Sequence, residues 1–360
     1  MEIYNVIGLM SGTSLDGLDI AYCQFSYNGQ WRFKILKTKH VVYEDKQKNE
    51  LKEAVKLSAI DLLALHHSYG QWLGEQVKQF IDDEQLIVDF IASHGHTVHH
   101  QPQRGISCQI GCGQYLSNIS GLPVVNDFRS GDLALGGQGA PLVPIGDRYL
   151  FGEYDFCLNL GGISNISFED NGLRIAYDIG IGNMLLNYLS QKIGKPYDKN
   201  GEIARHGTVN KVIFEQLNSL EYYKLAYPKS TGYEWFQAKI RPVIDSSDDS
   251  IENLLCTSVH HIAYSICQEV TSYSKNTDNQ RLLVTGGGAL NTFLIETMRD
   301  YMNKSVRIVI PERAIIDYKE ALIFGFLGVL RKRHEINILR SVTGATDDSC
   351  GGVFYFPNKK

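Results

Sequence analysis

The sequence predicts an α/β protein of two domains that repeat one architecture, and three observations point there. Its 360 residues exceed what a single hydrophobic core normally needs. A strand, a tight turn and a second strand open the chain at 3–25, and the same pattern recurs at 156–168. A third glycine-bearing turn, Gly286-Gly287-Gly288, follows another strand-like run at 281–284. The expected domains are 1–145 and 146–360.

Residues 3–10 form an apolar run short enough for a buried strand, and residues 18–25 form a second. Between them Gly12, Thr13, Ser14, Leu15, Asp16 and Gly17 make a turn rich in small and hydroxyl side chains. Glycines let the backbone approach a ligand, and hydroxyls add donors to a ring of N–H groups, which suits phosphate oxygens. It is not a Walker loop, since no G-x-x-x-x-G-K-[ST] occurs and no lysine lies in the turn. Asp16 is the carboxylate there that can hold a metal-bound water or a substrate hydroxyl. Taken alone, the same residues also describe an ordinary hairpin turn.

Residues 31–42 read as the third strand of a meander, and 58–82 as a helix with a break near Gly70. A strand at 87–93 is expected to run into a polar loop, Ser93-His94-Gly95-His96-Thr97-Val98-His99-His100. Imidazole is a common metal ligand, but no H-E-x-x-H and no acid at a helical offset accompanies this run. The favoured reading has one or two of these side chains facing a small ligand. Short strands at 106–110 and 123–125 flank a small helix near 114–119. Asp127, Arg129, Asp132, Gln138 and Gly139 then gather among glycines. Arg129 can fork onto a carboxylate or phosphate and either Asp can accept from sugar hydroxyls, unless the acids and the arginine simply pair with one another.

The second half begins as the first did, with strands at 156–160 and 163–168 around Gly161-Gly162 and with Asn165 just beyond. Asn171-Gly172 closes the next hairpin. Asp178 is expected where a strand stops and a helix at 183–193 begins, which is where α/β sheets place catalytic groups, although an Asp before Gly also caps helices. Residues 201–275 are mostly helical, with a loop at 227–232 and a long buried helix at 251–273. The Gly286-Gly287-Gly288 turn brings backbone close to an adenine ring or a phosphate. Residues 306–310 form the last core strand, and the last helix carries Glu320, a carboxylate facing either a ligand or solvent. The tail after Arg340 reads as a lid or an edge.

Hydrophobic residues at 43% and charged residues at 21% are those of an ordinary globular protein. A net charge of -5 without a basic stripe argues against nucleic acid. No apolar segment reaches membrane-spanning length, and the N-terminus lacks an export signal, so a small ligand in the cytoplasm is expected. Seven cysteines without C-x-x-C are expected as buried, reduced thiols.

Three glycine-bearing turns, each after a strand and spread over both halves, match the nucleotide site of the actin-like ATPase superfamily, whose fold is ribonuclease H-like. There two phosphate hairpins face each other across a cleft between duplicated domains, and an adenosine turn lies in the second. Within it the chain resembles the anhydro-N-acetylmuramic acid kinase family over nearly its whole length. The resemblance rests on Gly8-Leu9-Met10-Ser11-Gly12-Thr13-Ser14-Leu15-Asp16-Gly17, Ser93-His94-Gly95, Asp127-Phe128-Arg129 and Gly136-Gly137-Gln138-Gly139-Ala140-Pro141-Leu142-Val143-Pro144. Asn159-Leu160-Gly161-Gly162-Ile163-Ser164-Asn165, Lys229-Ser230-Thr231-Gly232, Gly286-Gly287-Gly288-Ala289 with Asn291, and Glu320-Ala321-Leu322 complete it.

The resemblance implies ATP-dependent phosphorylation at O6 of 1,6-anhydro-N-acetylmuramic acid with hydrolytic opening of the anhydro bridge, giving N-acetylmuramic acid 6-phosphate for peptidoglycan recycling. Carried over by position, it implies ATP contacts from Gly12, Thr13, Ser14, Leu15, Asp16, Gly17, Leu18 and Asp19, with Gly161, Gly162, Asn165, Gly286, Gly287 and Gly288 completing the nucleotide site. Asp178 is the implied general base, and His96, Asp127, Arg129, Gln138, Gly139 and Glu320 are the implied sugar contacts. ATP and Mg²⁺ are the implied cofactors and a homodimer the implied assembly. The family's usual D-T-G-P-G-N stands here as Asp178-Ile179-Gly180-Ile181-Gly182-Asn183, and His96 replaces a usual glutamine, which bears on sugar preference and rate. Two other readings remain open: a kinase of a different amino sugar, and an ATP- and sugar-binding sensor that transfers nothing.

Overall fold

A computed structural model describes residues 1–12, 14–275 and 279–358. It divides into two compact units, Met1–Leu150 with Tyr318–Lys360, and Phe151–Asp317. The C-terminal stretch therefore departs from the expected 146–360 domain and belongs with the first unit.

The first unit is built on a sheet ordered β12-β6-β4-β1-β2-β3, from β1 (Glu2–Ser11), β2 (Gly17–Tyr27), β3 (Trp31–Val42), β4 (Phe90–Gln101), β6 (Val124–Asn126) and β12 (Val353–Tyr355), with β5 (Ile106–Ile110) paired to β4. β1, β2 and β3 form an antiparallel meander, whereas β4 runs parallel to β1 and β6 parallel to β4. Ile7, Leu9, Leu18 and Ile20 share a buried cluster with Leu73, Val77 and Phe80 of the helix Ala59–Glu84. Each such apolar side chain, fully buried, is worth about 1.5–3 kcal/mol.

That helix starts at Ser58, whose side chain accepts from the Asp61 N–H, and it runs without the break expected at Gly70. Gly70 serves instead as a contact point, because a Cβ there would collide with the backbone of Cys112. The histidine run is likewise not a loop. β4 continues through it to Gln101 because β5 pairs with it antiparallel, His96 opposite Ile110. On the first unit's other packing contact, a Cβ on Gly8 would strike the Ala321 carbonyl of the helix Arg313–Lys332, and Phe25 meets Phe326 with ring centroids 5.6 Å apart. Two further contacts hold the tail in this unit: β12 pairs with β6 at the sheet edge, and the buried Asn337 amide donates to Leu327 and Gly351 carbonyls.

The second unit has the order β11-β10-β7-β8-β9, from β7 (Phe156–Leu160), β8 (Ile163–Asp170), β9 (Leu173–Ile181), β10 (Gln280–Thr285) and β11 (Val306–Val309). Again the first three strands are an antiparallel meander, and the fourth and fifth run parallel to the first. Both units therefore carry strands in the order three-two-one-four with the same directions, the duplicated ribonuclease H-like topology of the actin-like ATPases. Ile175, Tyr177, Ile179 and Ile181 alternate into one core cluster with Leu255, Val259, Ile262 and Ile266 of the helix Ile251–Tyr273.

Among the described residues no helix is long and apolar enough to cross a membrane. All seven cysteines are free, and Cys108, Cys112 and Cys350 are half-buried where burial of every thiol was expected.

Candidate active-site residues

In the first unit the β1–β2 ladder closes at Ser11 opposite Leu18, leaving 12–16 as the turn. Thr13 lies outside the described residues. Leu15 takes a left-handed φ of 58°, and Ser14 Oγ donates to Asp16 Oδ1 at 2.8 Å, with Asp16 exposed. The last three residues of the expected nucleotide-binding stretch are engaged within the unit. Leu18 is buried, with its side chain in the core, and Gly17 is buried where a Cβ would meet the His40 ring. The Asp19 carboxylate is engaged by His40 Nδ1 at 2.7 Å.

Beneath this turn lies a buried network that no local motif announces. Ser11 Oγ is 2.6 Å from the Tyr43 hydroxyl and 2.9 Å from His96 Nδ1, and Tyr43 is 2.7 Å from the Tyr69 hydroxyl. Burial lowers the pKa of His96 to about 4, so its imidazole is neutral at pH 7. His96 thus supports the hairpin from below and does not line an open loop, because β4 carries it into the sheet.

Arg129 is the centre of a second group. Its Nη2 lies 2.8 Å from His94 Nε2 and its Nη1 donates to the Gly139 carbonyl at 2.5 Å. His94 Nδ1 faces the Gly95 carbonyl at 3.0 Å, an arrangement that puts the proton on Nδ1 and leaves Nε2 to accept. Burial, then the Arg129 charge, holds the His94 pKa well below its usual value. Burial lowers Arg129 itself to about 10, which still leaves it a cation at neutral pH.

Asp127, at a φ of 55°, accepts from Ser130 Oγ at 2.6 Å. Asp132 is fully buried and accepts from the Gly139 N–H and from Thr343 Oγ1, both at 2.7 Å, so it clamps the glycine loop and is not placed to receive a sugar hydroxyl. Gln138 donates its N–H to the Thr343 carbonyl at 2.9 Å and is exposed. Glu320 reaches solvent, yet the protein packed around its carboxyl desolvates it and raises its pKa, an effect that Lys319 and Arg129 oppose and Asp19 and Asp16 reinforce. Glu320 therefore lies within electrostatic reach of both Arg129 and the hairpin acids.

In the second unit three expected pieces meet. The Gly161 and Gly162 carbonyls accept the Asn183 and Gly182 N–H groups at 3.0 and 2.8 Å, and Asn183 Nδ2 donates to the Leu160 carbonyl at 3.0 Å. Gly286 has φ 78° and ψ 167°, a conformation open essentially to glycine, and a Cβ there would collide with Asn159 Oδ1 and Leu160. Gly288 packs on Leu160 and Asn183 as well, and Gly287 faces Asn183 Nδ2. The hairpin turn, the start of the helix Asn183–Gln191 and the triple-glycine turn thus form one surface, with the half-buried Asn165 opposite Asp178 in the β8–β9 ladder.

Asp178 lies inside β9, which continues to Ile181, and not at the strand end; nor does it cap a helix. Its Oδ2 accepts from Ser230 Oγ and from the Thr231 N–H, both at 3.0 Å. Among the described residues no protein group donates to Oδ1. Tyr222 donates to the Asp178 carbonyl at 2.7 Å, and the Asp178 N–H donates to the Lys229 carbonyl at 3.3 Å. Desolvation raises the Asp178 pKa, and the Thr231 and Ser230 hydrogen bonds oppose that rise. The Lys229 ammonium is buried, 3.4 Å from Glu269 Oε2 and 5.5 Å from the centroids of both Tyr177 and Tyr222, while Tyr177 donates to Glu269 Oε1 at 2.6 Å. Glu269 and Tyr222 left no trace in the sequence near Asp178, whereas the hydroxyl pair Ser230-Thr231 is a readable donor signal. Ile179 and Ile181, the two departures beside Asp178, point into the core on the opposite strand face.

Known proteins align along this whole framework. The family model described as anhydro-N-acetylmuramic acid kinase matches residues 4–357. The anhydro-N-acetylmuramic acid kinase of Hydrogenovibrio crunogenus is 33% identical over 98% of each chain. That of Haemophilus influenzae is 34% identical over 97% of each. A solved structure, the activator of the 2-hydroxyisocaproyl-CoA dehydratase from Clostridium difficile with bound ADPNP, aligns over 91% of this chain and 97% of that one at 11% identity and a TM-score of 0.42. On the match from residue 4 to residue 357, the chain belongs to the anhydro-N-acetylmuramic acid kinase family.

Proposed function

We propose that the protein phosphorylates 1,6-anhydro-N-acetylmuramic acid at O6 with ATP while hydrolysing the anhydro bridge, giving N-acetylmuramic acid 6-phosphate and ADP. Within the family assignment, the observation that carries the chemistry is the Asp178 carboxylate, held through Oδ2 by two donors with Oδ1 left to accept a proton. In this reading water attacks C1 of the sugar and gives its proton to Asp178 Oδ1. The C1–O6 bond breaks, O6 takes the γ-phosphoryl group and the bond from phosphorus to ADP breaks. The raised pKa makes Asp178 a stronger base than a solvent-exposed carboxylate, provided the pH keeps it ionised.

The hairpin residues Gly12, Thr13, Ser14, Leu15 and Asp16 and the surface of Gly161, Gly162, Asn165 and Gly286, Gly287 and Gly288 are assigned to the nucleotide. Asp127, Arg129, Gln138, Gly139 and Glu320 are assigned to the sugar, with Arg129 suited to its lactyl carboxylate. Gly17, Leu18, Asp19 and His96 act by shaping the hairpin. The exposed Asp16 offers the hard oxygen ligand that Mg²⁺ takes, and the ion would supply charge neutralisation on the phosphates. Positioning of this kind can remove on the order of 7–11 kcal/mol of barrier. A homodimer acting in the cytoplasm completes the proposal.

The experiment is turnover of purified protein with Mg-ATP across a panel of anhydro and ordinary amino sugars. Formation of ADP and N-acetylmuramic acid 6-phosphate from the anhydro sugar supports the assignment. Faster turnover of another amino sugar replaces the substrate, and ATP binding without transfer to any of them indicates a sensor.

A further inference from the structure

We propose that His66, His67 and Cys112 form a binding site for a borderline-soft divalent transition ion of the Zn²⁺ class. Their ligand atoms all lie within 4.8 Å of one another, and among the described residues no other group of three or more His, Cys, Asp or Glu side chains does this. The chemistry of the set is selective: two imidazoles and a thiol, without a carboxylate, suit Zn²⁺ or Co²⁺ and not Mg²⁺ or Ca²⁺.

The backbone holds the donors together. Cys112 N–H donates to the His66 carbonyl at 3.0 Å, and Gly70, one turn beyond His66 in the helix Ala59–Glu84, lets the Cys112 backbone pack against that helix. The His67 ring stacks on Tyr115, 4.8 Å between centroids and 13° from parallel, which keeps it on the side of the helix that faces Cys112 until an ion draws it in. Cys112 is the N-cap residue of the helix Gly113–Ser120, and its side chain makes no capping bond there. His66 is half-buried, and its ring centroid lies 5.6 Å from that of His67. A tetrahedral ion keeps such donors roughly 3.3–3.7 Å apart. Rotation of the exposed His67 and half-buried His66 side chains closes that difference and leaves the fourth position to water. Bound there, the ion ties the helix Ala59–Glu84 to the start of the helix Gly113–Ser120.

The test is titration of the full-length, reduced protein with Co²⁺, followed by its thiolate-to-cobalt charge-transfer absorption and by displacement with Zn²⁺. One equivalent is expected to bind with that absorption and to raise the thermal midpoint. Cys112→Ser is expected to abolish the absorption. Outer-shell changes at metal sites already cost about 10–100-fold in affinity, so His67→Gln and His66→Gln, which each remove a ligand, are expected to weaken binding at least as much. Absence of a charge-transfer band, or a band that survives in folded Cys112→Ser protein, overturns the proposal. If Cys112→Ser fails to fold, unchanged Co²⁺ affinity in both histidine variants overturns it. Kinase turnover of His67→Gln is expected to match the parent.

Discussion

Replacing Asp178 by Asn separates geometry from proton transfer. The amide oxygen can take the place of Oδ2 and keep the Ser230 and Thr231 donors, both at 3.0 Å. The NH₂ group then stands where Oδ1 was, and it donates where the base must accept. Positioning survives and general-base catalysis does not. Such catalysis contributes about 10²–10⁴-fold, which corresponds to roughly 2.7–5.4 kcal/mol of barrier. The expected result is a kcat lower by that factor with nucleotide affinity unchanged, measured by coupled ADP release and by calorimetric titration of a non-hydrolysable ATP analogue. Stability gives an independent readout. A carboxylate with a raised folded-state pKa contributes most below its unfolded value, about 3.9, and that contribution is lost as pH rises through the folded value. At neutral pH Asp178→Asn is therefore expected to leave the thermal midpoint unchanged or higher. Turnover within about tenfold of the parent, against the 10²-fold minimum, refutes the base assignment.

Three further outcomes follow from the same geometry. Ser230→Ala removes a hydrogen bond that lowers the Asp178 pKa, so the acid limb of the kcat/KM profile is expected to move to higher pH, by at most about 1–2 units for a bond to a charged group. Lys229→Met leaves Glu269 without its cation and is expected to destabilise the protein, by up to about 3–5 kcal/mol in denaturant titration, the range for breaking a buried pair. The added change Glu269→Gln is expected to recover most of that stability but not kcat, since the loop that orients Asp178 stays loosened. Ile179→Thr, toward the family's usual residue, buries a hydroxyl in the core and is expected to cost roughly 1–3 kcal/mol, leaving relative kcat/KM across a sugar panel unchanged.

What the chain reveals unaided follows its local physics. The two meanders and their glycine turns were legible because alternation and turn chemistry act over a few residues, and β3 and the helix Ile251–Tyr273 fall where the sequence puts them. The histidine run misleads because its strand character comes from pairing with β5, and a polar run carries no apolar alternation to announce it. Gly70 looks like a helix breaker until its contact with Cys112 is seen, and 318–360 looks like second-domain sequence until β12 pairs with β6. At the candidate site, the sequence singles out Asp178 but puts it at a strand end, because the glycines after it look like a break although β9 runs on to Ile181, and Tyr222, 44 residues away, leaves no local signal. The isoleucines beside Asp178 looked like changes to substrate recognition. Strand periodicity turns both away from the carboxylate, so they read as core packing.

The coupling of ring opening to phosphoryl transfer is tested most directly by running the reaction in heavy-oxygen water with Mg-ATP and 1,6-anhydro-N-acetylmuramic acid, then fragmenting the sugar phosphate in a mass spectrometer. Water primed by Asp178 places one solvent oxygen on C1 and none on the phosphoryl group. Solvent oxygen on phosphorus, or a phosphorylated sugar whose anhydro ring is still closed, contradicts it.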